Sequence, residues 1–501
     1  MKSTINFSRT LSLLTLLLIS VVACNSDEVL NPLPPTQLLA EDAFSTPSRV
    51  LAQVHGLYAS LKSGQFLGGR MQMYQEVRGE DFQNRLGNGV TGLFAWSYNQ
   101  ASTNAEPLNA WVNGYLTINR CNVFLKGLDD NPNAVDATLA KQYRAEARFV
   151  RAIAYYYLVN LYARPFALNN GASPGLPLRL QAETAPGNRD LARSTVADVY
   201  NQIITDLDIA ERDLPLTYGT PLLRVTRAHR NTAIALKTRV YLTMQRYEQV
   251  IQEAQKIVAQ TASPFSSTTG VTHTLESRIT TVFASPYTSN ESIFSLPMST
   301  DDFPGVQNSL GHYFNRPGVG FGNGEYFLDP GPPGNPQGII SNPAFTATDA
   351  RRTDLIVTVI TGNTSSSYVT KFRAPSPFTD YPPIIRYAEV LLNYAEALSR
   401  TSTGVNITAL NLLNAVRGRS APAAVYMPTS FTTSNDLTNA ILLERRIELM
   451  AEGFRGIDIT RQLLPLPAKT GVQGSVPVNA QQYVWPIPQA ELDNNRLMVQ
   501  N

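Results

Sequence analysis

The 501-residue chain has little cysteine, little histidine and almost no net charge, and each shortage removes a class of function. Two cysteines, Cys24 and Cys121, cannot build a disulfide framework. The four histidines, His55, His229, His273 and His312, stand apart, without the clustered Cys/His or His-Glu-x-x-His spacing that zinc requires. Lys plus Arg is 41 against 39 for Asp plus Glu, so no basic stripe is available for a phosphate backbone, and nucleic acid is not an expected partner. A Gly-x-Ser-x-Gly elbow is missing, and Gly318, Gly320, Gly322 and Gly324 alternate in a pattern that suits a flexible turn, not a dinucleotide or Walker loop. Asp129-Asp130-Asn131-Pro132-Asn133 lacks the terminal Glu of a calcium loop and reads as a solvated turn. No metal or cofactor is expected. Beyond the first segment, no uncharged run approaches the ~20 helical residues that span a bilayer.

What is present at the start is an export signal. Lys2 and Arg9 precede an apolar run from Leu11 to Val22, and Val21-Val22-Ala23-Cys24 resembles a bacterial lipobox, in which the cysteine is acylated and becomes the new N-terminus. Residues 1–23 are thus read as a lipoprotein signal peptide, Cys24 as the lipidation site, and 24–38 as an extended tether with Pro32, Pro34 and Pro35. Acyl chains anchor by about 0.8 kcal/mol per buried methylene. Cleavage would remove two bases and no acid from the 41, leaving 39 against 39. Formal neutrality suits uncharged, hydroxyl-rich ligands, although local patches can carry either sign. Cys121, then without a partner, reads as a small core residue.

From Leu108 to Leu128 and from Ala140 to Ala163 apolar residues recur at helical spacing, as in Ala147, Val150, Ala154, Tyr157, Leu158 and Leu161. Further helices are predicted across Ser48–Lys62, Thr195–Asp213, Arg227–Met244, Tyr247–Gln260, Ile384–Arg400, Ile407–Arg417 and Asn435–Glu452. Several are paired by short connections, the layout of stacked helical hairpins. Loop-rich excursions are predicted over about 64–105, 164–193 and 263–381, the last with β-branched runs such as Leu355–Ile360. The fold class is therefore mainly α: a helical-hairpin scaffold with large irregular insertions and few short strands, in one unit from residue 39 to 501.

Four stretches carry a family resemblance. The helix Tyr143-Arg144-Ala145-Glu146-Ala147-Arg148-Phe149-Val150-Arg151-Ala152 continues into Leu161-Tyr162 and Pro165. Later come Arg386-Tyr387-Ala388-Glu389-Val390-Leu391-Leu392 with Tyr394-Ala395-Glu396-Ala397, and then Leu412-Leu413-Asn414-Ala415-Val416-Arg417. Glu444-Arg445-Arg446-Ile447-Glu448-Leu449 precedes Glu452-Gly453-Phe454-Arg455 and Asp458, and the chain closes with Trp485-Pro486-Ile487-Pro488, Glu491 and Asn494. Together with the lipobox, and in this order, they resemble the SusD/RagB family, the lipid-anchored nutrient-binding proteins of the Bacteroidetes outer surface. The sequence departs at Gly456, where the family often carries an aromatic residue. The resemblance implies a scaffold similar to tetratricopeptide repeats, an outer-membrane location facing the exterior, a SusC-like TonB-dependent transporter as partner, and an oligosaccharide, or less often a peptide, as ligand.

The charged stripes Arg144/Arg148/Arg151 and Glu444/Glu448/Glu452 each line one helix face and are expected to form inter-helix ion pairs; a glycosidase pair would instead face across a cleft. A sugar needs flat aromatic faces with amides and charges at their edges. The loop residues that fit are Trp96, Tyr98 and Asn99, beside the polar cluster Glu80–Arg85 that includes Asp81, and Tyr313, Arg316, Phe321 and Tyr326 in the long insertion. Trp111, Tyr115, Tyr155 and Tyr157 fall in helical registers and are expected to pack. A lipid-anchored glycoside hydrolase and a purely protein-binding scaffold are the competing functional readings.

Overall fold

The structure, a computed structural model, describes residues 40–501 except 186, 188, 189, 319 and 333–336; the signal, Cys24 and the tether lie outside the described residues. Its longer helices are α1 (Pro47–Leu61), α2 (Ala105–Asp130), α3 (Ala137–Tyr162), α4 (Val196–Asp213), α5 (Arg230–Thr243), α6 (Tyr247–Gln255), α7 (Tyr387–Thr401), α8 (Ile407–Ser420) and α9 (Ser434–Glu448). They stack as expected: α2 on α3, α3 on α4, α4 on α5, α5 on α6, α6 on α7, and α7 on α8 and α9. One apolar core runs through the stack, from Val54 of α1 through Phe149 and Leu236 to Leu391 and Ile441.

Local chemistry sets the helix ends. Thr195 accepts the Asp198 amide while the Asp198 carboxylate accepts the Thr195 amide, and Thr433 and Asp436 repeat this box at the start of α9. Asp136 accepts from the amides of Thr138 and Leu139. Each such cap contributes about 1 kcal/mol. In the middle of α2, a Cβ on Gly114 would stand 2.7 Å from a Leu158 methyl, so this glycine permits the close approach of α2 to α3.

Several elements differ from the periodicity: the helix predicted to reach Gln260 ends at Gln255, and the one predicted to reach Glu452 ends at Glu448, so that Glu452 lies in the turn that follows. The helix predicted from Ile384 begins at Tyr387, because Pro383–Arg386 is an extended, fully buried strand; the prolines at 382 and 383 hold the preceding backbone out of the helical region. Within the first excursion lies a helix, Arg70–Val77, whose eight residues are all buried, including Arg70, Gln72, Gln75 and Glu76. A helix buried on every side has no amphipathic period to read.

The charged stripes do not meet each other. Arg148 and Arg151 reach Asp206 at 3.1 and 2.7 Å, and Arg144 reaches Asp129 at 2.8 Å. The acidic stripe engages cations from the insertion and from α8 instead: Glu444 pairs with Arg351 and Arg417, Glu448 with Arg351, Arg386 and Arg419, and Glu452 with Lys371 and Arg386. Glu291 closes the network through Arg386 and Arg419. Buried pairs of this kind fix register more surely than they add net stability. The ionic reading of the stripes therefore holds, with different partners, which lie far away in sequence.

Gly456 opens the short helix Arg455–Arg461, and a Cβ there would lie 2.5 Å from the Gln75 carbonyl oxygen. The close seating of this helix on Arg70–Val77 leaves no room for an aromatic residue. Cys121 is buried in α2, where burial pushes its thiol up to about 12.

Candidate functional site

The strands bring the first and third excursions together. β1 (Phe82–Asn84), β2 (Ser292–Ser295), β3 (Tyr326–Leu328), β4 (Ile356–Thr361), β5 (Thr364–Val369) and β6 (Pro383–Arg386) form two small antiparallel sheets, ordered β1-β3-β5-β4 and β2-β6. Phe82 pairs with Leu328 and Asn84 with Tyr326, and the pairing continues through the Arg85 amide to the Glu325 carbonyl at 2.8 Å. Segments 240 residues apart in sequence thus share one surface.

Most of the aromatic residues expected on that surface lie beneath it. Trp96 is buried and donates its indole N–H to the Phe82 carbonyl at 2.8 Å. Tyr98 is buried, with its hydroxyl on the carbonyls of Arg78 and Pro467. Tyr313 and Tyr326 are fully buried, their hydroxyls donating to Gln307 and Thr91 carbonyls. Asp81 is buried too: its carboxylate accepts the Ile339 amide at 2.8 Å and the Arg446 guanidinium at 2.9 Å. Trp96, Tyr313, Tyr326 and Asp81, satisfied inside the protein, support the face and offer it no open surface, whereas Tyr98, though buried, also edges the cleft beside Asn99. They were expected at contact because a polar-tipped aromatic residue in a loop looks the same in sequence whether the loop lies open or is folded inward.

Phe321, Arg316 and Asn99 do reach solvent. Phe321 is 39% exposed, and the Arg316 guanidinium carbon lies 3.7 Å from its ring centroid. The loop that carries them folds back on the short helix Leu310–Phe314: the Phe321 amide donates to Gly318, Gly322 to Arg316 and Asn323 to His312, at 3.1, 3.0 and 2.9 Å. Gly322 is required there, since a Cβ would meet the Gly311 carbonyl oxygen at 2.3 Å. Arg85 clamps the loop from β1 by donating to the carbonyls of Gly324 and Asn323 at 2.7 and 2.5 Å. Beneath, Glu325 accepts from Thr91 and Asn323, each at 2.9 Å, with the His312 ring nitrogen 3.7 Å away. Burial works to raise this carboxyl, yet the neighbouring donors hold it below its ordinary value. Asn99 opens onto a different cleft, of 370 Å³, which also involves Ser102, Gln481, Gln482 and Gln500 and no residue of the Phe321 loop.

Sequence reasoning missed a second aromatic ledge. Tyr287 and Tyr381 stack with centroids 4.8 Å apart, both half-buried, and Tyr287 donates to Asp380 at 3.2 Å beside a cavity of 420 Å³. Tyr287 and the nearby Phe378 hold positive φ of 60° and 66°, a costly conformation for aromatic residues. The available signal was an aromatic residue set among turn formers, Ser285-Pro286-Tyr287-Thr288. A groove of 720 Å³ lies elsewhere, along α2. Its aromatic residues serve packing, as expected: Trp111 meets Tyr162 edge-on at 5.0 Å, and the hydroxyls of Tyr115 and Tyr155 donate to Pro177 and Arg179 carbonyls. The Phe321 loop is the better ligand face because it combines an exposed ring with polar groups at its edge.

The nearby acids do not form a hydrolytic pair. Burial would raise Glu80, but Arg455 and Arg446 outweigh it and hold the carboxyl at about 2, which suits an ion-pair partner and not the raised general acid of a glycosidase; Asp81 is taken up by Arg446 and the Ile339 amide. Among the described residues no group of three or more His, Cys, Asp or Glu is placed to hold a metal ion, and no helix is long and apolar enough to cross a membrane.

Known proteins with this sequence and fold are consistent in kind. A SusD-like family model described as starch-binding and associating with the outer membrane matches residues 48–242, and the SusD family model matches residues 378–501. SusD-like protein P2 of Formosa agariphila is 25% identical, over 97% of each chain; SusD-like protein P38 of the same organism is 22% identical, over 98% of this chain and 99% of the relative. A crystal structure of a SusD superfamily protein from Bacteroides fragilis superposes with a TM-score of 0.79 at 33% identity, covering 91% of this chain and all of that one. One from Bacteroides thetaiotaomicron gives 0.77 at 23% identity, over 91% and 99%.

Proposed function

From the premise that this chain belongs to the SusD/RagB family, we propose that it is an outer-membrane lipoprotein that captures an oligosaccharide on the Phe321 face. It then delivers its ligand to a SusC-like TonB-dependent transporter, with no bond made or broken. The lipid on Cys24 would hold it at the outer leaflet, facing the exterior. The family description of starch binding at the outer membrane supports the general reading, and one observation carries the local one. Phe321 presents an open apolar ring, backed by Arg316 at 3.7 Å, on a loop clamped by Arg85 and bordered by Asn323. An aromatic contact of this type contributes about 1 kcal/mol beyond the area it buries, so affinity has to be shared with hydroxyl contacts along the face. Such moderate binding suits a protein that must hand its ligand on.

The test is a binding panel of immobilised oligosaccharides and peptides, read with the mature protein and with Phe321→Ala. The expected result is glycan retention that falls about tenfold or more in the variant. Retention unchanged by Phe321→Ala would move the site away from this loop. Retention of peptides alone would replace the ligand class, and release of reducing sugar would favour a hydrolase. Co-purification with an outer-membrane barrel checks the transporter; its repeated absence from detergent extracts would remove that partner.

A further inference from the structure

We infer that the glycan selected by the Phe321 face is anionic: one sugar ring lies on the open side of Phe321 while a carboxylate or sulfate ester, on that ring or the next, is held by the Arg316 guanidinium. This deepens the glycan reading and rests on it. Among the described residues the Arg316 guanidinium makes no ion pair and donates no hydrogen bond; it lies against the Phe321 ring, 3.7 Å from the centroid. Other half-buried arginines end on acceptors inside the protein: Arg227, Arg179 and Arg455 on the carboxylates of Glu146, Glu183 and Glu80, and Arg164, Arg193 and Arg352 on backbone carbonyls. Arg85, which clamps this loop from the end of β1, is also without a carboxylate: its donors end on the carbonyls of Gly324 and Asn323, which leaves its charge uncompensated. The acid of this neighbourhood, Glu325, is fully buried and engaged by Thr91 and Asn323, while Asp329, at the far end of β3, accepts from Gln83.

Two features make this arrangement selective. Stacking on Phe321 holds the guanidinium plane in place, so that its outward N–H fork is organised before a ligand arrives. A fork of parallel N–H donors matches two oxygens of a carboxylate or a sulfate, and such charge-assisted bonds are stronger than those to sugar hydroxyls. Because the mature chain as a whole balances 39 bases and 39 acids once Lys2 and Arg9 are removed from 41, attraction of an anionic polymer has to come from local cations such as Arg316.

Isothermal titration of the mature protein with polygalacturonate oligosaccharides, sulfated carrageenan oligosaccharides and neutral gluco-oligosaccharides decides the matter. At least one anionic series should bind tenfold or more tightly than the neutral one, and should weaken as salt rises from 20 to 500 mM. The two anionic arms separate carboxylate from sulfate recognition. Arg316→Ala should bring anionic binding down to the neutral level, and Arg316→Lys, which keeps the charge without the planar fork, should fall in between. Should Arg316→Ala prove unstable, the salt dependence of the wild-type protein still decides. Neutral oligosaccharides bound as tightly as charged ones, with no salt dependence and no effect at Arg316, would overturn anion selection while leaving glycan capture intact. Failure of all three series to bind would overturn glycan capture itself.

Discussion

The Lys469 ammonium donates to the carbonyls of Val77 and Gly79, with the rings of Trp96 and Tyr98 at 5.7 and 5.4 Å. Burial lowers it to about 7, against the smaller opposing pull of Glu80, Asp81 and Asp329. The folded protein therefore releases this proton near pH 7, while the unfolded chain keeps it to about 10.5. Between these values the unfolded state binds more protons, so stability from this site rises with pH. Urea denaturation at pH 7 and pH 9 should show the wild-type protein gaining about 2 kcal/mol relative to Lys469→Met over that interval, from a limit of about 1.4 kcal/mol per pH unit. Equal pH dependence in both proteins would show that Lys469 does not titrate there. The same residues explain the limit of the sequence reading at this scale. Trp96 and Tyr98, expected at a ligand, form the aromatic walls around a buried cation, and nothing in their sequence neighbourhood distinguishes the two roles.

Helices were the most legible elements, because long amphipathic stretches announce themselves by period and their ends by capping boxes such as Thr195/Asp198 and Thr433/Asp436. Arg70–Val77 escaped notice for the opposite reason, since all its side chains are inside. The contact of α2 with α3 depends on a detail that period does not reveal. Gly114 weakens α2 by about 1 kcal/mol relative to alanine, and is retained where Leu158 fills the space its side chain would take. Gly114→Leu should cost about 1–3 kcal/mol through overpacking, seen as a lowered thermal midpoint. An unchanged midpoint would mean that the two helices can separate without loss.

Across the whole molecule, the ion network through Glu291, Glu444, Glu448 and Glu452 ties the long insertion to α8 and α9, so the loop-rich half is braced against the helical stack at charged residues. That bracing supports a rigid face for ligand capture. Location is a separate matter, which the proposed function assigns to lipidation at Cys24. Cys24→Ala should move the protein from the outer-membrane fraction to the soluble fraction, checked by fractionation and by loss of incorporated radiolabelled palmitate. Persistent membrane attachment without label would point to a different anchor.

The sequence by itself determined the family and the helical-hairpin architecture, because motif order and helical period are local properties of the chain. It also offered Arg316 and Phe321, both in the long insertion, as candidates, and these two reach solvent in the fold. Only the tertiary structure decided which aromatic residues face outward, that Asp81 serves Arg446, and that Glu444 and Glu448 of α9, with Glu452 just beyond it, meet Arg351, Arg386, Arg417, Arg419 and Lys371 and not the arginines of α3. Exposure and ionic pairing depend on what the rest of the chain places within a few ångströms, and here those neighbours come from segments distant in sequence.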